Sequence, residues 1–354
     1  MTCRMALTTP LSERIGIEYP LMQAGMGGIG PITLARLAAA ISEAGALGTI
    51  AQPALVLEEP GISGAALAEQ VEKVVGQVLD GIRLAVSLTD KPLAINVRIA
   101  QEQPDAEAVV RAIVAEREAS PKVRAQLRVL TTSGGHPRMF GLNELVRESG
   151  MLHFHAVSNV RHARTAAREG MDGVVATGFE AAGHVGHHPV HTFVLVPSVK
   201  QAVDLPVIAA GGIVDGQALA GALALGAELG YVGSRFLAAD ECEYHEANKR
   251  FIVEADETRT DVIPAFFGPA RFIENGFTEE VHKLVAADTP HLERMRIEGA
   301  AMRRGALEGD MGTGMMIGGQ GIGRIREVLP AAEIVRRIAV EAEEALDRVA
   351  AFRR

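Results

Sequence analysis

One stretch of the chain combines a titratable ring with freely bending backbone: Thr177-Gly178-Phe179-Glu180-Ala181-Ala182-Gly183-His184-Val185-Gly186. An imidazole has an unperturbed pKa of about 6.5, so a glycine-flanked His184 can act as a general base near neutral pH. His187, His188 and His191 follow, but no Cys, Asp or Glu joins them and their spacing matches no common zinc pattern. No metal is expected, and those three read as surface histidines.

Two glycine devices come next. Pro206-Val207-Ile208-Ala209-Ala210-Gly211-Gly212-Ile213 is an apolar run that ends in a double glycine before Asp215. Leu229-Gly230-Tyr231-Val232-Gly233-Ser234-Arg235 repeats the device and adds a hydroxyl. Glycine turns ahead of helices leave backbone N–H groups pointing outward, where a phosphate can be held. A third cluster, Gly25-Met26-Gly27-Gly28-Ile29-Gly30, formally satisfies G-x-G-x-x-G. The dinucleotide fingerprint also needs an acidic residue at the end of the second strand. Leu47-Gly48-Thr49-Ile50-Ala51-Gln52 ends without one, so the cluster reads either as a place where a flat ring approaches the backbone or as a turn made for packing. Asn96, at the end of an apolar run, could bond a heterocycle edge or form an ordinary turn. Gln320 sits in the glycine loop Gly318–Gly323, read as a cover for the site or as a linker. No serine elbow or nucleophilic cysteine arrangement is present.

These residues must be carried on something. The chain has 354 residues, and 48% of them are hydrophobic but only 4% aromatic. That balance suits buried parallel strands and close helix–sheet packing, and it excludes disorder. Eight candidate strands begin near Pro20, Leu47, Pro92, Gln126, Met151, Met171, Pro206 and Glu228, with helix-like segments after most of them. The helices read as Pro31–Ala44, with Pro31 in the first turn, then 106–118, 141–149, 159–169, 191–203 and 215–225. Eight β–α steps predict a TIM (β/α)8 barrel over residues 1–239, with a doubly wound sheet as the alternative. Residues 240–323 break the alternation and read as a mainly helical insertion. Residues 324–354 carry an amphipathic helix that would close the barrel. In that barrel the two glycine devices are the loops after the seventh and eighth strands, the usual phosphate site.

A net charge of −9 and the lack of a basic stripe exclude nucleic acid as an expected partner. Cys3 and Cys242 make no disulfide framework. Met1–Arg14 has no apolar core long enough for a signal peptide, and Leu205–Gly233 is interrupted by Asp215 and Glu228, so no membrane span is expected. A cytoplasmic protein is expected, and apolar positions in the insertion leave room for a homodimer contact.

The chain resembles the nitronate monooxygenase (2-nitropropane dioxygenase) family, which includes FMN-dependent enoyl-ACP reductases and flavin NADH:quinone reductases. The resemblance is carried by Gln23-Ala24-Gly25-Met26, Leu37–Gly48, Asn96, Val160-Arg161-His162-Ala163, Gly178–His184, the paired glycine loops and the closing Gly-Gln-Gly loop. It implies non-covalent FMN, with the phosphate on Gly211, Gly212, Gly233 and Ser234 and the ring near Gln23, Gly25, Met26 and Asn96. Glu180, Gly183 and Gln320 complete the implied cofactor set, and His184 matches the family's active-site histidine. The implied reaction oxidises a nitronate with O2 to a carbonyl compound and nitrite. The alternatives are an FMN-dependent NAD(P)H oxidoreductase acting on a quinone or enoyl thioester, and a non-catalytic barrel that binds a phosphate ligand. The loop Ser133-Gly134-Gly135-His136-Pro137 keeps the family's Gly and Pro positions but lacks an aromatic residue, which bears on the substrate pocket.

Overall fold

Short apolar runs buried on both faces can satisfy their backbone only by pairing with one another, and here eight of them do so in parallel. The computed structural model describes residues 7–55, 63–100 and 103–353; Cys3 and the start of the N-terminal segment lie outside that range. The strands are β1 (Leu21–Gln23), β2 (Gly48–Ala51), β3 (Leu93–Ile99), β4 (Leu127–Gly134), β5 (Leu152–Val157) and β6 (Gly173–Thr177). After a short β7 (Gly183–His184) outside this sheet come β8 (Val207–Ala210) and β9 (Leu229–Val232). Their order is β1-β9-β8-β6-β5-β4-β3-β2. A parallel bridge between Met22 and Leu47, with the Gln23 N–H donating to the Leu47 carbonyl at 2.8 Å, brings β2 back to β1. The result is the expected TIM barrel, and each strand begins within two residues of its expected start.

Period-two alternation sorts the barrel interior into layers. Met22, Leu47, Ala94, Val129, Phe154, Val175, Ile208 and Leu229 form an apolar plug, closed below by Leu11 and Ile15 of the helix Pro10–Ile15. Two residues further along six of these strands stand Asn96, Thr131, Ala156, Thr177, Ala210 and Tyr231, all at the floor of one large cavity. The side chains that can do chemistry therefore rest on a filled barrel.

The first barrel helix departs from expectation. It runs Ala35–Glu43 rather than from Pro31, because Ile29 and Ile32 exchange backbone hydrogen bonds (3.2 and 3.0 Å) around a Gly30–Pro31 turn. Gly30 has φ +55° there. The helix Gly64–Leu88 was not anticipated at all.

The insertion carries the helices Glu246–Glu254, Gly276–Ala286 and His291–Arg303, together with an unanticipated antiparallel hairpin, β10 (Thr260–Ala265) and β11 (Gly268–Ile273). β11 also pairs with β7, giving a sheet β10-β11-β7 that joins the insertion to the loop after β6. The helix Ala331–Ala350 buries Ile334, Val335, Ile338, Ala342 and Ala345 and packs on the helices Gly216–Ala224 and Ala35–Glu43.

A Cβ added at Gly48 would overlap the Ala38 carbonyl, where β2 and its helix pack backbone to backbone. Gly48→Ala is expected to cost about 3 kcal/mol through overpacking, read as a lowered urea midpoint with an unchanged slope. A midpoint equal to that of the parent would show that the helix can shift.

Candidate active site

The cavity above the strand ends has a volume of about 870 Å³, within the usual range for a cofactor and its substrate. Its floor begins with the glycine turn after β1. The Gly25 N–H donates to Tyr231 Oη at 2.7 Å, and the Tyr244 hydroxyl donates to the Gly27 carbonyl. Burial pushes the Tyr231 phenol up to about 12, so it stays neutral and available as a donor. A side chain at position 25 would overlap Asn96. Asn96 donates to the Thr131 carbonyl at 3.3 Å, and Met26 lies beside it in the cavity wall.

At one side of the mouth the loops after β8 and β9 lie next to each other, because Ala210 pairs with Tyr231 in the last rung. Gly211 and Gly212 adopt φ +101° and +74°, which only glycine takes without strain. Thr192 Oγ1 donates to the Gly211 carbonyl at 3.0 Å, and Glu180 accepts from the Thr192 N–H at 3.0 and 3.1 Å. The N–H groups of Gly212, Gly233 and Ser234 donate to no acceptor among the described residues, while that of Gly211 points along the ladder at the Tyr231 carbonyl. Three unpaired amide donors at a cavity rim form an anion site in the donor sense. Ser234 Oγ accepts from the Gly319 N–H at 3.0 Å and so ties the glycine loop 318–321 over this rim.

The opposite wall is built by the insertion. β7 pairs with β11 through Ala270 opposite His184 and Arg271 opposite Gly183. Arg271 donates to the Phe179 carbonyl at 3.0 and 3.2 Å and lies over the Phe179 ring, pinning the other end of the same loop. The His184 ring opens to the cavity yet has protein around most of it, and it meets Phe267 edge-on at 5.8 Å. Desolvation in this recess, with a smaller contribution from the Arg98 charge, lowers its pKa to about 4. The imidazole is neutral at physiological pH. Beyond it lie Met295, Met302, Met315, Ile317 and Phe266, with Glu298 among them. Glu298 Oε2 accepts from the Phe266 N–H at 2.9 Å while Oε1 has no partner, and burial raises its pKa to about 7.

Of the residues singled out in the sequence, Gly25, Met26, Asn96, Glu180, Gly183, His184, Gly211, Gly212, Gly233 and Ser234 all face this cavity. Gln23 lies outside the lining. It is wholly buried in β1, with Oε1 accepting from the Thr49 N–H at 3.0 Å and Nε2 unpartnered. Gln320 also lies outside the lining, held by its N–H to the Glu180 carbonyl at 3.0 Å, while Gly319 and Gly321 beside it line the cavity. His187 and His188 line the mouth, and His191 approaches Glu180 at 3.5 Å. Among the described residues no group of three or more His, Cys, Asp or Glu side chains could hold a metal, and no helix is long and apolar enough to cross a membrane. Sequence reading passed over Tyr231, Arg98, Phe267 and Glu298. Alternation from Asn96 and from Gly233 would have pointed to Arg98 and Tyr231, whereas nothing local marks Phe267 or Glu298.

With this geometry in hand, comparison with known proteins is specific. The family model described as nitronate monooxygenase matches residues 8–341. A Mycobacterium tuberculosis protein named (3aS,4S,5R,7aS)-5-hydroxy-7a-methyl-1-oxo-octahydro-1H-indene-4-carboxyl-CoA dehydrogenase is 34% identical over 286 residues, covering 79% of this chain and 69% of its own. A related Rhodococcus jostii protein of the same name is matched over 56% of its length, so the chain spans little more than half of that relative. The nitronate monooxygenase of Paraburkholderia phytofirmans is 30% identical, with 96% of each chain covered. Among solved structures, FabK from Thermotoga maritima superposes with a TM-score of 0.82 at 31% identity, covering 98% of this chain and 99% of its own.

Glu298 supplies a test of the insertion wall. Its folded pKa lies above the ordinary 4.5, so between these values the folded state binds more protons than the unfolded one, and stability falls as pH rises from about 4.5 to about 7. Glu298→Gln keeps the Phe266 contact and removes that loss, worth up to about 3 kcal/mol. The variant's Tm should exceed the parent's at pH 8 and converge with it at pH 5. A parent Tm rising from pH 5 to pH 7 in step with the variant would refute the assignment.

Proposed function

We propose that this chain, which belongs to the nitronate monooxygenase family and is therefore an oxidoreductase, binds FMN and oxidises alkyl nitronates with O2 to carbonyl compounds and nitrite. The observation that carries the reading is the union, in one cavity, of three unpaired backbone N–H groups and a neutral histidine.

The residues present fit FMN. The unpaired N–H groups of Gly212, Gly233 and Ser234, with the positive-φ turn at Gly211, suit a phosphate monoester without needing a basic side chain, which agrees with a chain of net charge −9. Gly25 keeps the floor beside Asn96 low, room that a flat ring system needs, and Asn96 Oδ1 remains free to accept. When bound, FMN supplies the electron transfer between substrate and O2. The chain's own part is to position and to exclude water. Tyr231 holds the Gly25 turn, Thr192 and Glu180 hold the Gly211 turn, and Ser234 holds the covering loop. His184 faces the space left for substrate as an unprotonated ring. A conjugate acid near 4 is too acidic for efficient proton abstraction at neutral pH, so the ring is suited to hydrogen-bonding a nitronate that arrives already ionised.

A second reading, reduction of an activated substrate by NAD(P)H, is favoured by the likeness to FabK and to the CoA dehydrogenase. Anaerobic mixing separates the two: the FMN-loaded enzyme is expected to bleach with ethyl nitronate and not with NADH, and in air to release nitrite. Bleaching by NADH alone would replace the first reading with the second.

His184→Asn is expected to lower turnover of ethyl nitronate about tenfold, as loss of one hydrogen bond to a charged group. A loss confined to the neutral nitroalkane would make His184 the base. The ethyl nitronate rate should show no His184 titration from about pH 6 to about pH 9, because its imidazolium forms only near pH 4.

A further inference from the structure

Arg98 stands in the cavity wall with half of its guanidinium unused. Its backbone N–H donates to Gln52 Oε1 at 3.0 Å and its Nε to Gln103 Oε1 at 3.2 Å. These bonds fix the side chain as far as Nε, and neither Nη group meets an acceptor among the described residues. The guanidinium carbon lies 5.2 Å from the centre of the Phe267 ring, the same ring that meets His184. Stacking of this kind orients the fork without neutralising it.

The surroundings compensate the charge only in part. Asp105 is the nearest acid acting on Arg98, but it makes no ion pair with it. Gln52 Nε2 donates to Asp105 Oδ2 at 2.6 Å, and burial raises the Asp105 carboxyl above the ordinary range. The two carboxylates of the cavity are committed elsewhere, Glu180 to Thr192 and Glu298 to the Phe266 N–H. The remaining titratable side chains of the lining, Arg161, His162, His184, His187, His188 and Tyr231, bring no negative charge at neutral pH. A cation held in a desolvated wall, attracted by the buried Asp105 but in no direct ion pair, favours an anion that enters.

We propose that Arg98 is the residue that holds the substrate's charge: its two free Nη groups grip an oxyanion head borne on an apolar body, and the neutral His184 adds a further hydrogen bond. This rests on the reading of the substrate as a nitronate, whose planar pair of oxygens matches the guanidinium fork as a carboxylate does. The body then lies toward Met295, Met302, Met315 and Ile317, a wall that offers it no charge beyond the largely shielded Glu298. Arg98 thereby selects the ionised substrate over its neutral acid, a choice that His184 cannot make because it carries no charge at neutral pH.

The test compares FMN-loaded parent, Arg98→Met and Arg98→Lys at matched flavin content. Arg98→Met should raise the Kd for ethyl nitronate, from anaerobic flavin bleaching, about 10- to 100-fold, the range expected for loss of a charge-assisted pair, and change that for nitroethane by less than about threefold. Benzoate, an unreactive anion on an apolar ring, should weaken by a similar factor in calorimetry. The His184 imidazole should titrate higher in Arg98→Met by NMR, since a neighbouring positive charge has been removed. Arg98→Lys keeps the charge without the fork and should recover only part of the affinity; if Arg98→Met fails to fold or to load FMN, this variant decides. Parent-like affinity for both anions in Arg98→Met or in Arg98→Lys, or an equal loss for nitroethane, would overturn the proposal. Failure of the parent to bleach with ethyl nitronate would instead remove the nitronate reading, while benzoate binding and the imidazole titration would still decide the role of Arg98.

Discussion

The site depends on a very short piece of backbone pairing. Gly183 and His184 pair with Arg271 and Ala270, and the Val185 N–H donates to the Pro269 carbonyl at 2.9 Å. Each such bond contributes only about 1 kcal/mol net, yet together they fix a loop that would otherwise wander above the barrel. The same pairing brings the hairpin turn, with Phe266 and Phe267, against the histidine. Without it the cavity would lose both a wall and the desolvation that lowers the His184 pKa.

The other wall has a different logic. The barrel supplies rigid strand ends, and its plugged interior lets polar side chains stand on a floor that does not yield. The anion rim after β8 and β9 is then pure backbone. It is shaped by glycines at positive φ and braced by Thr192, Glu180 and Ser234, none of which must supply charge. Positive charge enters the cavity instead from side chains, at Arg98 beside the hairpin's Phe267 and at Arg161. A negatively charged cofactor and a negatively charged substrate can thus be held by separate means.

Much of this was legible beforehand, for a physical reason. Parallel strands buried on both faces must be apolar runs, so all eight announced themselves, and glycine loops with a hydroxyl after the seventh and eighth barrel strands marked the rim. His184 was visible because a ring between glycines is unusual chemistry in a loop. The start of the first barrel helix was misplaced because Pro31 suits a first helical turn and a tight turn equally. The turn prevails here because Ile29 and Ile32 can pair across it.

By itself, then, the sequence determined the barrel, the order of its strands and the backbone chemistry of the rim, since all three follow from local periodicity and local conformational freedom. Only the tertiary structure decided what His184 is. Its lowered pKa comes from desolvation in the recess beside the hairpin and from Arg98, groups about ninety residues away on either side of it in the chain. The partners of Arg98, the approach of Phe267 and the buried carboxyl of Glu298 are likewise products of long-range packing. Desolvation is a property of what surrounds a group in space, and no spacing along the chain encodes it.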